Sequence, residues 1–294
     1  MSTANEPVFW RGPFNEWHIG LGGHINVKHY AQALDDARAM AALKQGDGPA
    51  ELRERGFCTR PITDRIDFRK ELAPGDAARI QGVTGRDQTG ATALNGSMLA
   101  EPDGTLIMRY QTTFGLFDPA SGDPVIWANA PSRKIDPLRA LRPIPEPSMP
   151  ARPPGNAWVT WTGTVEVGDS DHHGLISPRA IYDIITRGLW AVHIRLGRHR
   201  DGLKKTGGAG GVTALRVRYG KPARMGDLLE CRTSLLGVGT NSLRMGHLIH
   251  NPVSGSTVAQ VEYVNTFFSR VSGKKEPPGP DYLDGIMDIR LDVS

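Results

Sequence analysis

Two acidic residues and two histidines lie together in the polar segment Gly168-Asp-Ser-Asp-His-His-Gly174, which directly precedes a predicted helix. Asp171 stands just ahead of the first helical turn, where unpaired backbone amides and the positive end of the helix dipole can bind a developing oxyanion. A carboxylate beside such a turn could act on a carbonyl group as a nucleophile or as a general base. Both acids could also be turn residues that accept backbone N–H bonds, and Asp169 is expected to be structural.

The histidines beside Asp171 are candidates to assist it. Adjacent side chains point apart in an extended segment, so at most one of His172 and His173 should reach the site, and we assign His173 to it. Both could instead be surface turn residues. Elsewhere the histidines lack the i, i+4 spacing of a helical metal pair, and no cysteine cluster joins them. We therefore expect no metal site and no redox cofactor.

The chain repeats itself at a fixed offset of 151 residues. This offset carries Gly75-Asp76 onto Gly226-Asp227 and Gly23-His-Ile25 onto Gly174-Leu-Ile176, and no gap is needed from residue 23 to residue 118. A register that holds through several glycines indicates a tandem duplication.

The two copies differ where the chemistry would be. At the position of Asp171 the first copy has Gly20, so it lacks the acid, and it has His24 and Asn26 at its helix start instead. His24 is either a site residue or a polar turn residue. Asn26 is either a site residue or the N-cap that satisfies a backbone donor of the helix. One working site for the whole chain is the simplest expectation.

Each copy is predicted to contain a strand, one long helix and then several strands. The first helix should run from about Val27 to Lys44 after its cap, and the second from Ser177-Pro178, a typical helix start, to about Leu196. The later strands are predicted at Ile62–Phe68, Ala77–Val83, Thr92–Leu99 and Thr105–Phe117, and at Val212–Tyr219, Leu228–Val238, Leu243–His250 and Thr257–Ser269. This is an α+β arrangement, and the bare sheet edges of the two copies could pair into one extended sheet.

A proline-rich segment joins the copies. Residues 141–157 cannot form a helix or a central strand, because each proline removes a backbone donor and fixes φ. We therefore expect a first domain at residues 1–140, a linker at 141–157, a second domain at 158–272 and a C-terminal tail at 273–294.

The composition of the 294 residues, with 39% hydrophobic residues and a net charge of +4, is that of a globular protein. The positive excess is too small for the basic stripe of a nucleic-acid-binding protein. No apolar stretch approaches the ~18 residues that a membrane span needs, and the first residues lack the pattern of a secretory signal. Cys58 and Cys231 offer neither a disulfide framework nor a metal pair. We expect a cytoplasmic protein without nucleic-acid or membrane partners.

Three segments resemble motifs of the hotdog fold. Val165-Glu-Val-Gly-Asp-Ser-Asp-His-His-Gly-Leu-Ile176 resembles the segment that leads into the helix of 4-hydroxybenzoyl-CoA thioesterase-like proteins. Gly23-His-Ile-Asn-Val-Lys-His-Tyr30 resembles the helix start of acyl-CoA and acyl carrier protein thioesterases, and Lys221-Pro-Ala-Arg-Met-Gly-Asp227 resembles the turn after their second strand. The resemblance implies two tandem hotdog domains, at about residues 8–118 and 158–269, and an enzyme that hydrolyses acyl-CoA or acyl carrier protein thioesters.

The resemblance also implies roles for single residues. In the thioesterases that the segment resembles, the acid at the position of Asp171 attacks the thioester or activates a water, and His24 could orient a water or bond the thioester oxygen. The sequence departs from the pattern at Pro178, since proline has no N–H where these enzymes offer a backbone amide to the carbonyl. The amides of Arg179 or Ala180 would have to substitute, or the donor would come from the other copy.

A basic cluster follows the second helix. Its members are Arg198, Arg200, Lys204 and Lys205. They could meet the phosphates of coenzyme A, which would then be part of the substrate rather than a cofactor, or they could form a solvated basic face.

Two other functions fit the same fold, because fold alone does not determine a reaction. A hydratase or dehydratase acting on enoyl or 3-hydroxyacyl thioesters could pair His24 with Asp171, whereas a non-catalytic acyl-CoA-binding module would need neither residue. The free edges and faces of hotdog sheets also allow a homodimer.

Overall fold

The computed structural model describes residues 6–19, 25–86, 91–125, 149–197, 208–269 and 272–291. The chain divides into two units. Unit 1 comprises Met1–Pro145 and Asp171–Arg179, and unit 2 comprises Glu146–Ser170 and Ala180–Ser294. The short segment that carries Asp171 therefore folds with the first repeat, although it belongs to the sequence of the second.

Unit 1 is a five-stranded antiparallel sheet with one long helix against it. The helix α1 (Val27–Lys44) begins where the sequence predicts, because Asn26 Oδ1 accepts the backbone N–H of Lys28 at 3.0 Å and caps the first turn. Its buried side consists of Tyr30, Leu34, Arg38 and several alanines, and the small alanine side chains let the helix lie close to the sheet. A short helix α2 (Pro49–Glu54) follows. The strands, in sheet order, are β1 (Val8–Pro13), β3 (Ala77–Arg86), β4 (Thr92–Glu101), β5 (Leu106–Phe117) and β2 (Cys58–Phe68).

Unit 2 repeats this plan. Its sheet is also antiparallel, with the order β7 (Gly208–Tyr219), β10 (Thr257–Ser269), β9 (Ser242–His250), β8 (Leu228–Val238) and β6 (Trp158–Thr164). The helix α3 (Pro178–Arg195) starts at the predicted proline and buries Ile181, Ile184, Ile185 and Val192 at helical spacing. The predicted α+β class, with a helix and an antiparallel sheet in each repeat, is confirmed, while edge-to-edge pairing of the two sheets stays a prediction.

The 151-residue offset also holds in the pairing of the strands. Arg60 pairs with Gly115 between β2 and β5, and the equivalent Gly211 pairs with Thr266 between β7 and β10. Both ladders contain an irregularity at the same place, next to Pro61 in the first copy and next to Val212 in the second. Shared register and a shared bulge are what a duplicated backbone produces.

The strand β2 starts earlier than the sequence predicts, at Cys58 rather than Ile62. Proline cannot donate a ladder hydrogen bond, so Pro61 is not a favoured residue inside a regular strand. The structure places Pro61 next to the bulge of β2, and strands tolerate proline at bulges. The correction matters because it brings Arg60 into the strand.

The described parts of the linker and the tail pack onto unit 2. Met149 is buried against Leu236 and Leu248, and its carbonyl accepts a bond from the Gln260 side chain. The tail forms a helix α4 (Pro280–Ile286) whose Tyr282 is buried. In the described ranges, no helix combines the length and the apolar character that crossing a membrane would require.

A chain of polar side chains is buried inside unit 2. The Thr160 hydroxyl donates to the Cys231 carbonyl at 3.1 Å and lies 2.8 Å from the Thr233 hydroxyl, which lies 2.7 Å from His247 Nδ1. Each hydroxyl has one hydrogen. Because Thr160 uses its hydrogen for the Cys231 carbonyl, Thr233 donates to the Thr160 oxygen, and the N–H at His247 Nδ1 donates to the Thr233 oxygen. Burial lowers the pKa of His247 to about 3, so the ring is neutral in the folded protein.

This burial predicts an acid-dependent loss of stability. Because the pKa of His247 is lower folded than unfolded, the unfolded chain binds more protons between pH 6.5 and about 3. The free energy of unfolding of unit 2 should therefore fall as the pH falls through this window, by up to about 1.4 kcal/mol per pH unit from this group. Urea unfolding of wild type and His247→Gln between pH 7 and pH 4 should show a flatter pH dependence in the variant. Equal slopes would contradict the assignment.

Candidate functional site

Unit 1 contains a cavity of about 290 Å³ beside the turn that carries Asp171. Its apolar wall includes Leu52 of α2, Phe57 and Phe114 of β5. Its polar wall is formed by charged and imidazole side chains, which include Arg60, Asp171 and the two histidines of the turn. A pocket with one apolar side and a few converging polar groups is typical of a site for a small organic substrate.

The turn itself explains how Asp171 is held. Asp171 Oδ1 accepts the backbone N–H groups of His173 at 2.9 Å and Leu175 at 3.0 Å, and the Asp171 amide donates to the Leu175 carbonyl. Gly174 completes the turn with a φ of 71°, a left-handed conformation that favours glycine. Asp171 is therefore a turn-forming residue, as the structural interpretation predicts, and its side chain also lines the cavity.

Arg60 is the residue of this site that the sequence reasoning missed. Its Nη1 donates to Asp171 Oδ2 at 3.0 Å, and its Nη2 donates to the Ile176 carbonyl. The Arg60 side chain is 7% exposed and that of Asp171 is 25% exposed, so the ion pair lies at the edge of the interior. No local motif marks Arg60, because it stands 111 residues before its partner.

His173 contributes an imidazole ring to the same cavity. Its Nε2 is buried and has no hydrogen-bond partner. Burial lowers the pKa of His173, and the neighbouring His172 lowers it further, so the imidazole is neutral at neutral pH. The prediction that only one of the two rings could line the site assumed an extended backbone. In the turn both rings line the cavity, with their centroids 3.9 Å apart and their planes tilted by 42°.

The start of α3 forms another part of the cavity wall. Ser177 and Pro178 line it, and Pro178 is the first residue of the helix. As the sequence predicts, proline provides no backbone donor at this position. The cavity instead contains the guanidinium of Arg60, a donor from the first copy.

Cys58 also lines the cavity, but its thiol is not prepared for nucleophilic attack. Burial raises the pKa of Cys58 to about 11, and its Sγ lies 3.6 Å from the Phe117 carbonyl. A thiol with this pKa stays protonated at neutral pH, and the thiolate is the reactive form. Cys58 is therefore not a candidate for nucleophilic attack on a carbonyl.

A second buried ion pair lies at the α1 side of the cavity. Arg38 donates to Asp64 at 2.8 Å and to the Thr112 hydroxyl at 3.2 Å, with the Arg38 and Asp64 side chains 4% and 1% exposed. Arg38 also pairs with Asp35, and both residues line the cavity. Two carboxylates and one hydroxyl of unit 1 thus hold the Arg38 guanidinium in place in this wall.

The other residues predicted for the site have different positions. Asn26 caps α1 and is not among the residues that line the cavity. His24 lies outside the described residues, as do Arg198, Arg200, Lys204 and Lys205, so their roles stay predictions. Among the described residues, no group of three or more His, Cys, Asp or Glu side chains is placed to hold a metal ion.

The cap assigned to Asn26 predicts a specific pattern of stability. Asn26→Ala should lower the free energy of unfolding by about 1 kcal/mol, because a backbone donor of α1 loses its acceptor. Asn26→Ser, which retains a capping oxygen, should lose only a small part of this. Urea unfolding of both variants beside wild type measures the difference. If Asn26 served only the site, both variants would have the same free energy of unfolding as wild type.

The sequence matches one known family over part of its length. Residues 184–257 match the family model of the thioesterase superfamily. No curated protein sequence matches the chain at a significant level.

Solved structures resemble nearly the whole chain in fold. An acyl-ACP thioesterase from Bacteroides thetaiotaomicron VPI-5482 is 16% identical, with a TM-score of 0.63, covering 90% of this chain and 100% of its own. A proposed oleoyl thioesterase from Lactobacillus plantarum is 12% identical, with a TM-score of 0.66 and coverage of 94% and 99%. The 12:0-ACP thioesterase from Umbellularia californica is 12% identical, with a TM-score of 0.65 and coverage of 88% and 93%.

These comparisons confirm the resemblance that the sequence motifs predict. The chain has a double hotdog fold, and its second repeat matches the thioesterase superfamily over residues 184–257.

Proposed function

We propose that the protein is a thioester hydrolase that cleaves an acyl group from coenzyme A or from an acyl carrier protein. The observation that carries the proposal is the cavity of unit 1, where the Asp171 carboxylate, the neutral His173 ring and the buried Arg60 guanidinium meet beside an apolar wall. The double hotdog fold and the thioesterase-superfamily match support the same reaction.

The reactive oxygen of Asp171 is Oδ2. Oδ1 accepts two backbone N–H bonds, which fill its two lone-pair directions. Oδ2 accepts one bond, from Arg60, and so has a lone pair left for a water or a carbonyl carbon. In this proposal Oδ2 attacks the thioester carbon and displaces the thiolate, and water then cleaves the resulting acyl–Asp171 anhydride. Alternatively, Oδ2 accepts a proton from a water that attacks the carbon, and the C–S bond breaks to release the thiolate.

His173 has a complementary role. In the water route one proton leaves the water, and His173 can take it at Nε2 in place of Asp171 and pass it to the departing thiolate sulfur as the C–S bond breaks. The negative charge of Asp171 favours the protonated imidazole, which stabilises the ring during the step in which it holds that proton.

The apolar wall suits the acyl part of the substrate. Leu52, Phe57 and Phe114 provide surface that favours a hydrocarbon or aromatic group over water. Two of the similar structures are named as acyl-ACP thioesterases, which supports a carrier-bound acyl thioester as the substrate class. The predicted basic residues Arg198, Arg200, Lys204 and Lys205 would favour the phosphates of the carrier group.

A panel of acyl-CoA and acyl carrier protein thioesters, short to long and aromatic, tests the proposal through release of free thiol. We expect hydrolysis by wild type and a loss of about 10²- to 10⁴-fold in kcat/KM in Asp171→Asn, because the amide is neither base nor nucleophile. Asp169→Asn is the matched control, since Asp169 lies in the same segment, accepts the Glu166 backbone N–H and is not among the cavity residues. It should stay within about threefold of wild type.

Two results would contradict this assignment. Full hydrolysis by a folded Asp171→Asn protein would place the chemistry on other residues. Absence of thiol release, combined with hydration of an enoyl thioester monitored by its absorbance, would replace the hydrolase with a hydratase.

A further inference from the structure

We propose that Arg60 is the positioning residue for Asp171, supplied by the first repeat to the acid of the second. This inference rests on the proposed function, because it assigns Arg60 a part in the hydrolysis that Asp171 performs. Arg60 does not need to touch the substrate in this role. It fixes the orientation of the reacting carboxylate and the shape of the turn around it.

The contacts of Arg60 reach both ends of the turn. Nη1 binds the side chain of Asp171, where the turn begins, and Nη2 binds the main-chain carbonyl of Ile176, where it ends. A planar guanidinium makes two such contacts in a fixed geometry, which a single ammonium group cannot reproduce. The Arg60 side chain of β2 therefore holds both ends of the Asp171–Ile176 segment.

The two oxygens of Asp171 are held by different means. Oδ1 is fixed by the amides of His173 and Leu175, which belong to the turn itself. Oδ2, the oxygen assigned to the reaction, is fixed by Arg60 from a strand of the first repeat. Loss of Arg60 would leave the turn able to cap its own amides but would remove the contact that sets the direction of Oδ2.

Comparison of the two repeats shows that this pair occurs once in the sequence. The residue at the offset of 151 from Arg60 is Gly211, and the residue equivalent to Asp171 is Gly20. The strand pairing supports this alignment of the two repeats. Arg60 pairs with Gly115, and Gly211 pairs with Thr266, the residue at the offset of 151 from Gly115. Each repeat thus supplies one member of the pair and has glycine in place of the other.

The test compares Arg60→Lys with Arg86→Lys. Arg86 forms a buried ion pair with Asp47 in the same unit and is not among the cavity residues, so it matches Arg60 in burial and chemistry. We expect Arg60→Lys to lower kcat roughly 10- to 100-fold with a smaller change in KM, because the carboxylate is misdirected while the apolar wall is intact. Arg86→Lys should keep the kcat of wild type.

Amide hydrogen exchange provides a readout that does not depend on activity. In Arg60→Lys, the amides of His173 and Leu175 should exchange at least about tenfold faster than in wild type, because the turn has lost one of its two ties. Arg86→Lys should leave these two amides as protected as in wild type. In Arg60→Ala, guanidinium ion at millimolar concentration should restore part of kcat, and it should not do so in Asp171→Asn.

The outcomes separate the two proposals. If wild type hydrolyses no thioester, the proposed function is wrong, and the exchange rates still decide whether Arg60 holds the turn. If wild type is active but Arg60→Lys keeps both its kcat and its protected amides, Arg60 is not a positioning residue. Equal losses in Arg60→Lys and Arg86→Lys would also overturn the inference, because they would reflect lost stability alone.

Discussion

The ion pair between Arg60 and Asp171 is the contact on which the rest of the site depends. The Asp171 side chain is 25% exposed, and it accepts hydrogen bonds from one guanidinium and two backbone amides. The same contact ties the turn of the second repeat to a strand of unit 1. The position of the Asp171 side chain therefore depends on this long-range interaction as well as on its own turn.

The duplication explains how such a site could arise without enlarging the fold. Each repeat supplies its own helix and five-stranded antiparallel sheet, and the pairing registers of the two copies coincide. Side chains could then diverge while the backbone stayed the same. Arg60 and Asp171 stand where the other copy has Gly211 and Gly20, so each repeat contributes one member of the pair. The first repeat adds a buried polar wall around Arg38.

Much of the fold could be predicted from the sequence, because local signals define it. Asn26 caps α1, Pro178 starts α3, and hydrophobic periodicity locates the later strands. The start of β2 could not be found in this way, since Pro61 sits at a bulge that local rules do not reveal. Arg60 was missed for a related reason: its partner lies 111 residues away, and only the tertiary fold brings them together.

The most direct measurement of the central claim is a crystal structure with an acyl-CoA analogue in which a methylene replaces the thioester sulfur. This analogue keeps the carbonyl and cannot be hydrolysed. The account predicts that the carbonyl carbon lies within about 3.5 Å of Asp171 Oδ2 or of a water bound to that oxygen, the distance of a group poised for reaction, with the acyl part against Phe57 and Phe114. An analogue bound with its carbonyl remote from Asp171 would contradict the account.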